Sequence, residues 1–273
     1  MKPDSGELAR LRGIAMAAGA LQMAEQDRLR SIAYKSTTDM VTDLDKRVEA
    51  LLVDLFAREF PDDGLLAEEG AVSEGTSGRV WQIDPLDGTT NYVHHHPFFA
   101  VSLGRVSAGG IDLAAVYAPE LDELYLAGAS AGAWLERPRR RTRLALPPRE
   151  PVDLERALLA TGFPYVRDEL VVRNCELLKS FLLRRCHGVR RGGSAAIDLC
   201  HVASGRLDGY WEFSLNPWDL AAGSLVAREA GVVVSDFSGG DGYLDGSQIL
   251  AAVPGLHATM LAIIREELLD PVR

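Results

Sequence analysis

The chain of 273 residues is poor in cysteine, short of positive charge and free of long apolar runs. Its three thiols, Cys175, Cys186 and Cys200, are odd in number and include no C-x-x-C pair, so neither a disulfide framework nor a cysteine zinc site is indicated. No stretch approaches the about 18 uninterrupted apolar residues that a membrane span requires, so no membrane association is expected. Lys and Arg number 29 against 39 Asp and Glu, and the formal net charge of −10 argues against generic binding to nucleic acid. One basic run departs from this: "RPRRRTR", Arg137–Arg143, which reads as a solvated hairpin edge guarded by cations, with anion binding the alternative. The first thirty residues mix acids and bases into their apolar positions, which argues against a signal peptide and for a cytoplasmic location. Neither an internal repeat nor a low-complexity run is found.

What is present is a globular composition, 47% hydrophobic and 25% charged, in a length that fits one large domain or two closely packed smaller ones. Leu8, Leu11, Ala15, Ala18 and Leu21 recur at helical spacing, predicting an N-terminal amphipathic helix. A second helix is expected from Thr42 to about Phe60, with Thr42 as N-cap, Leu44, Val48, Leu51 and Leu55 as its apolar stripe, and Asp45 in the first turn. From Val80 to Glu136 short β-prone runs separated by Gly, Asp and Pro predict an antiparallel meander. Beyond Pro151 strands and helices alternate. The proline-rich segment "LALPPREPVD" is the expected boundary between a half spanning 1–146 and a half spanning 147–273, packed as one unit.

Residues Ile83–Phe99 read "IDPLDGTTNYVHHHPFF". Asp84 follows the apolar run "VWQI" and is expected at a strand's carboxyl end, with Pro85 turning the backbone and Asp87 close behind. Two carboxylates this close repel unless a cation lies between them. Gly88-Thr89-Thr90-Asn91 supplies a flexible glycine and small hydroxyl residues whose backbone amides can face an anion at a helix start; a plain turn is the alternative. Asn216, Pro217 and Asp219 open a helix in "NPWDLAAG", where an acid also has a purely structural use. Glu68 and Glu69 in "LLAEEG" read by themselves as solvated surface. The run His94-His95-His96 is a poor metal site, because consecutive residues seldom converge on one ion, and is read as a solvated loop or helix end.

Together, "LLAEEG", "IDPLDGTTNYVH", "RRGGSAAIDLCHVASGRLDGYWE" and "NPWDLAAGSLVAREAG", in that order, with Lys35 and "DMVTDLD" before them, resemble the inositol monophosphatase family of metal-dependent sugar phosphatases. That resemblance implies an α+β fold, a layered αβαβα sandwich, usually as a homodimer. It implies two or three Mg2+ ions in the site, one held by Glu68, Asp84 and the Leu86 carbonyl near Thr89, another by Asp84, Asp87 and Asp219. It implies Asp45, Thr89 and Glu68 beside the attacking water, and the amides of Gly88 and Thr89 on the phosphate. It further implies Gly193, Ser194, Ala195, Glu212 and Asp219 on the organic half of the substrate, Lys35 near the entrance, and inhibition by lithium. Residue by residue, Glu212 beside Trp211 reads equally well as a solvated strand end. The expected reaction is hydrolysis of a small polyol or sugar phosphate ester, inositol-1-phosphate first. Fructose-1,6-bisphosphate, histidinol phosphate and 3′-phosphoadenosine 5′-phosphate are alternatives within the superfamily, and a protein-binding role toward the transcription machinery is the alternative outside enzymology.

Overall fold

The computed structural model describes residues 5–26, 32–34, 40–146, 153–165 and 167–269. Helices α1 (Ser5–Glu25) and α2 (Asp43–Glu59) flank a two-stranded antiparallel sheet, β1 (Ile32–Tyr34) with β2 (Met40–Thr42). Strands β3 (Gly64–Ala67), β4 (Val72–Ser73) and β5 (Val80–Asp87) precede a single-turn helix α3 (Thr89–Val93). The meander follows as β6 (Ala100–Ser107), β7 (Gly110–Ala118), β8 (Glu123–Gly128), β9 (Gly132–Arg137) and β10 (Arg140–Leu144). These strands form one eight-stranded sheet in the order β10-β9-β8-β7-β6-β5-β3-β4, antiparallel throughout except where β3 runs parallel to β5.

The remaining chain gives β11 (Leu158–Thr161), α4 (Glu169–Leu183), β12 (Gly188–Arg190), α5 (Ala195–Ala203), β13 (Gly209–Phe213), α6 (Pro217–Ala230), β14 (Val233–Ser235), β15 (Gln248–Ala252) and α7 (Leu256–Leu269). Its five strands make a mixed sheet in the order β12-β11-β13-β15-β14. Three apolar clusters bind five layers. Leu11, Val48 and Trp81 belong to the one that seats α1 and α2 on the outer face of the large sheet. Ala114, Leu199, Leu220 and Ile249 belong to the one that sandwiches α5 and α6 between the sheets. Leu177, Trp211 and Met260 belong to the one that seats α4 and α7 on the far face of the small sheet. The αβαβα order expected from the resemblance is therefore observed.

Local sequence chemistry explains the elements that matter for the site. Thr42 caps α2 by accepting from the Leu44 and Asp45 amides, and Asp45 accepts back from the Thr42 amide, a reciprocal capping box. The buried seam of α2 is Leu44, Val48, Leu52 and Phe56; Leu51 and Leu55 sit beside it, half-buried, one position off the expected stripe. Helix α6 starts as expected, with Asn216 as N-cap, Pro217 in the first turn and Asp219 closing a second capping box.

Two expectations change. Strand β5 does not stop before Asp84 but continues to Asp87, and Pro85 sits in extended, bulged backbone instead of a turn. Asp84 pairs with Ser102 and Asp87 with Ala100, so β5 carries one extra residue between them. In a regular strand residues three apart face opposite ways; the extra residue re-aims one of them, and proline costs no ladder bond at such a place. Arg137–Arg143, by contrast, is the edge hairpin the sequence suggests, with β10 at the end of the sheet and its arginines exposed.

Candidate active site

The bulge delivers both aspartates to a pocket between the two sheets, lined by Glu68, Asp84, Leu86, Asp87, Gly88, Thr89, Gly193, Ser194, Ala195, Glu212 and Asp219. These residues come from five places in the chain. Glu68 follows the parallel strand β3, whose pairing with β5 sets it beside Asp84, and its amide donates to the Ile83 carbonyl at 3.1 Å. Asp219 is brought in by the first turn of α6, itself tied to β6 by Ser102 Oγ donating to the Trp218 carbonyl at 2.9 Å. Gly88 adopts φ of 94°, and a Cβ there would come within 2.9 Å of the Phe98 carbonyl oxygen, so only glycine makes this corner without strain. Asn91 then stitches the α3 turn to the opposite loop, its Nδ2 donating to Phe98 O at 2.6 Å and Gly192 O at 3.0 Å.

The hydroxyl of Thr89 lies 3.1 Å from Asp45 Oδ1 and 3.0 Å from the Leu86 carbonyl oxygen. Asp45 is buried behind the pocket, with its other oxygen held by the Thr42 amide at 2.8 Å and the Thr42 hydroxyl at 2.5 Å. Burial raises its pKa above the ordinary carboxylate value against the lowering effect of the Thr42 bonds. A buried carboxylate with one oxygen fixed and the other facing a hydroxyl is placed to take a proton through that hydroxyl.

Asp84 and Asp87 are buried and Asp219 is half-buried, and all three have raised pKa values. For Asp84 burial is the main cause, followed by the charges of Glu68, Asp87 and Asp219; for Asp219 it is burial, then Asp87 and Glu68. Burial also raises Asp87, less so because Ser194 Oγ and the Ala196 amide donate to its Oδ2 at 2.7 and 2.8 Å. Among the described residues no three His, Cys, Asp or Glu side chains are oriented as a ready ligand set for one ion. The acids are turned into local hydrogen bonds instead: Asp84 Oδ1 accepts from the Leu86 amide at 2.8 Å and Asp219 Oδ2 from the Asn216 amide at 2.7 Å. The donor chemistry still fits a hard divalent cation. Four carboxylates and a carbonyl around one pocket offer only oxygen, and their shared burial and repulsion are what positive charge relieves.

The facing wall holds Glu212, which is 7% exposed and not the solvated strand end its sequence also allowed. Burial lifts its pKa to about 7. Ser194, expected on the substrate, spends its hydroxyl on Asp87 and so joins the two halves of the site. Lys35 lies outside the described residues, and His94, His95 and His96 are exposed where α3 ends. Gly162, Phe163, Tyr165 and Arg191 also line the pocket and were not singled out from sequence, and Asn216, which lines it too, was read there only as a helix cap. Arg191 and Asn216 stand inside motifs already quoted; Gly162 at the end of "LLATG" carried no signal.

The sequence profile of the inositol monophosphatase family matches residues 7–269. The chain belongs to that family. It is 41% identical over 249 residues, 91% of this chain and 90% of the relative, to the putative Nus factor SuhB of Neisseria meningitidis serogroup B. The solved structure of the extragenic suppressor protein suhB from Bartonella henselae superposes with a TM-score of 0.87 at 32% identity, covering 96% of this chain and 99% of that one. The inositol monophosphatase from Anabaena does so with a TM-score of 0.81 at 35% identity, covering 95% of each. Membership of the family supports a phosphatase. As to membranes, no helix among the described residues is long and apolar enough to cross one.

Proposed function

We propose that this family member is a magnesium-dependent phosphomonoesterase acting on small polyol or sugar phosphates, with inositol-1-phosphate the first substrate to test. The observation that carries this is the joining, in one pocket, of the Glu68, Asp84, Asp87 and Asp219 carboxylates with the buried Thr89–Asp45 pair behind them. Glu68, Asp84, the Leu86 carbonyl, Asp87 and Asp219 would hold two or three Mg2+ ions. When bound, magnesium acidifies the attacking water and neutralises charge on the phosphate. Thr89 takes a proton from that water while passing its own to Asp45, and Glu68 is the alternative acceptor. The Gly88 and Thr89 amides orient the phosphate, and Gly193, Ala195 and Glu212 face the alcohol.

Phosphate release from a panel of esters, with and without magnesium, tests the reading. Turnover of polyol phosphates that stops with chelator is expected; no magnesium-dependent release from any ester overturns it. A homodimer in a soluble compartment belongs to the same proposal. A second reading is favoured by one observation, the 41% identity to a protein described as a putative Nus factor: a docking surface for transcription machinery. Asp87→Asn separates the two, since it should abolish catalysis and leave docking intact.

A further inference from the structure

We propose that Glu212 is gripped in a clamp, the Tyr210 hydroxyl on one side and the Gly162 backbone on the other, and that this clamp, anchored by Asn174, sets selectivity for hydroxylated esters. The inference rests on the reading that Glu212 faces the substrate's alcohol. Tyr210 and Glu212 are two apart on β13 and so share a face of the sheet. Tyr210 donates its hydroxyl to Glu212 Oε2 at 2.5 Å, and both side chains are buried. Strand β11 pairs in parallel with β13, Thr161 opposite Trp211, which stands Gly162 beside Glu212. A Cβ on Gly162 would lie 2.1 Å from each carboxylate oxygen, so only a residue without one lets the end of β11 close on that group.

Gly162 is itself held in place. Its carbonyl accepts from Asn174 Nδ2 at 2.6 Å, and Asn174 Oδ1 accepts from Trp211 Nε1 at 2.7 Å. Asn174 is fully buried on α4, so one side chain ties the end of β11 to the residue preceding Glu212. With its sideways freedom removed, the carboxylate presents its remaining lone pairs to the pocket in one orientation, and its ordering cost is met in folding instead of in binding.

The test measures kcat and KM for inositol-1-phosphate and for an aryl phosphate without hydroxyls, on the parent, Glu212→Gln, Tyr210→Phe and Gly162→Ala proteins. Tyr210→Phe removes one hydroxyl and keeps the ring; the KM for inositol-1-phosphate should rise about tenfold, equivalent to about 1.4 kcal/mol, while kcat and both aryl constants stay within about twofold. Gly162→Ala should move the same constant in the same direction. If its added carbon prevents folding, as a thermal melt will show, Tyr210→Phe decides alone. Loss of selectivity in Glu212→Gln with parental selectivity in Tyr210→Phe overturns the clamp and leaves the hydroxyl reading standing. Equal losses on both esters in Tyr210→Phe also overturn it, because they mark general support of the fold. Equal losses in Glu212→Gln overturn the hydroxyl reading, and the clamp falls with it.

Discussion

The two walls of the pocket are built in opposite ways. The acidic wall comes largely from the continuous β5–α3 stretch, with Asp84, Leu86, Asp87, Gly88 and Thr89 within six residues; of its other acids, Asp45 and Asp219 sit in the first turns of capped helices and Glu68 is set beside Asp84 by the pairing of β3 with β5. The facing wall is assembled from Gly162, Asn174, Ser194, Tyr210 and Glu212, which meet only because β11, α4, α5 and β13 pack together. One wall is mainly short-range chemistry, fixed by turns and caps around a single stretch of chain; the other is long-range geometry fixed by packing throughout. Damage to the first should therefore appear in the rate of reaction, and damage to the second in the choice of substrate.

The largest effect expected on the acidic wall is that of Asp87→Asn, which keeps shape but removes a charge from the donor set. Its kcat should fall more than about 100-fold, beyond the 10- to 100-fold typical of groups that merely support metal ligands, with an unchanged circular dichroism spectrum. Turnover within about tenfold of the parent would assign Asp87 to the wall's structure. Thr89→Ala should lower kcat by roughly 10² to 10⁴ with little change in KM, as expected for lost proton transfer; a loss confined to KM would make Thr89 a phosphate holder instead.

Magnesium should also act without substrate. The acids whose pKa values are raised by burial and mutual repulsion are stabilised by a bound cation, and at 100 times its dissociation constant the ion adds about 2.7 kcal/mol to unfolding free energy. A melting temperature indifferent to magnesium and to chelator would count against the donor set.

On the facing wall the expected effect is smaller and depends on pH. Glu212 titrates at about 7, so its acceptor form is lost as pH falls through that value. Between pH 8 and pH 6 the KM for a polyol ester should rise by up to about tenfold relative to that for an aryl phosphate, since the ionised share drops by about that factor. A ratio constant across this range would detach Glu212 from the hydroxyls. The smallest effect belongs to Thr42→Ala, which removes the α2 cap and should cost about 1 kcal/mol in urea denaturation at unchanged slope. An unaltered midpoint would mean that Asp45 is held by the α2 backbone alone.

Most backbone roles on the acidic wall were legible because their signals are local: Pro217 after Asn216, the Thr42 cap with Asp45 three residues on, and Gly88 after Asp87 each declare theirs in the sequence, whereas Glu68 by itself reads as surface. Less legible was the bulge in β5, since a proline after an aspartate reads as a turn until the neighbouring strand shows that the ladder continues on both sides. Ser194 was expected beside the substrate, but its hydroxyl's partner, Asp87, is 107 residues away, a separation no local pattern reports.

Helical and strand periodicity and capping chemistry thus determined the helices and the meander, because each depends on neighbours within a few residues; the acids of the site were picked out by the order of their motifs along the chain, which resembles that of the family. Which oxygens each acid turns toward the pocket, how Gly162 closes on Glu212, and where Asn174 spends its donor were decided only by tertiary packing. Those contacts join strands and helices remote in sequence, and their energies exist only once both partners have been buried together.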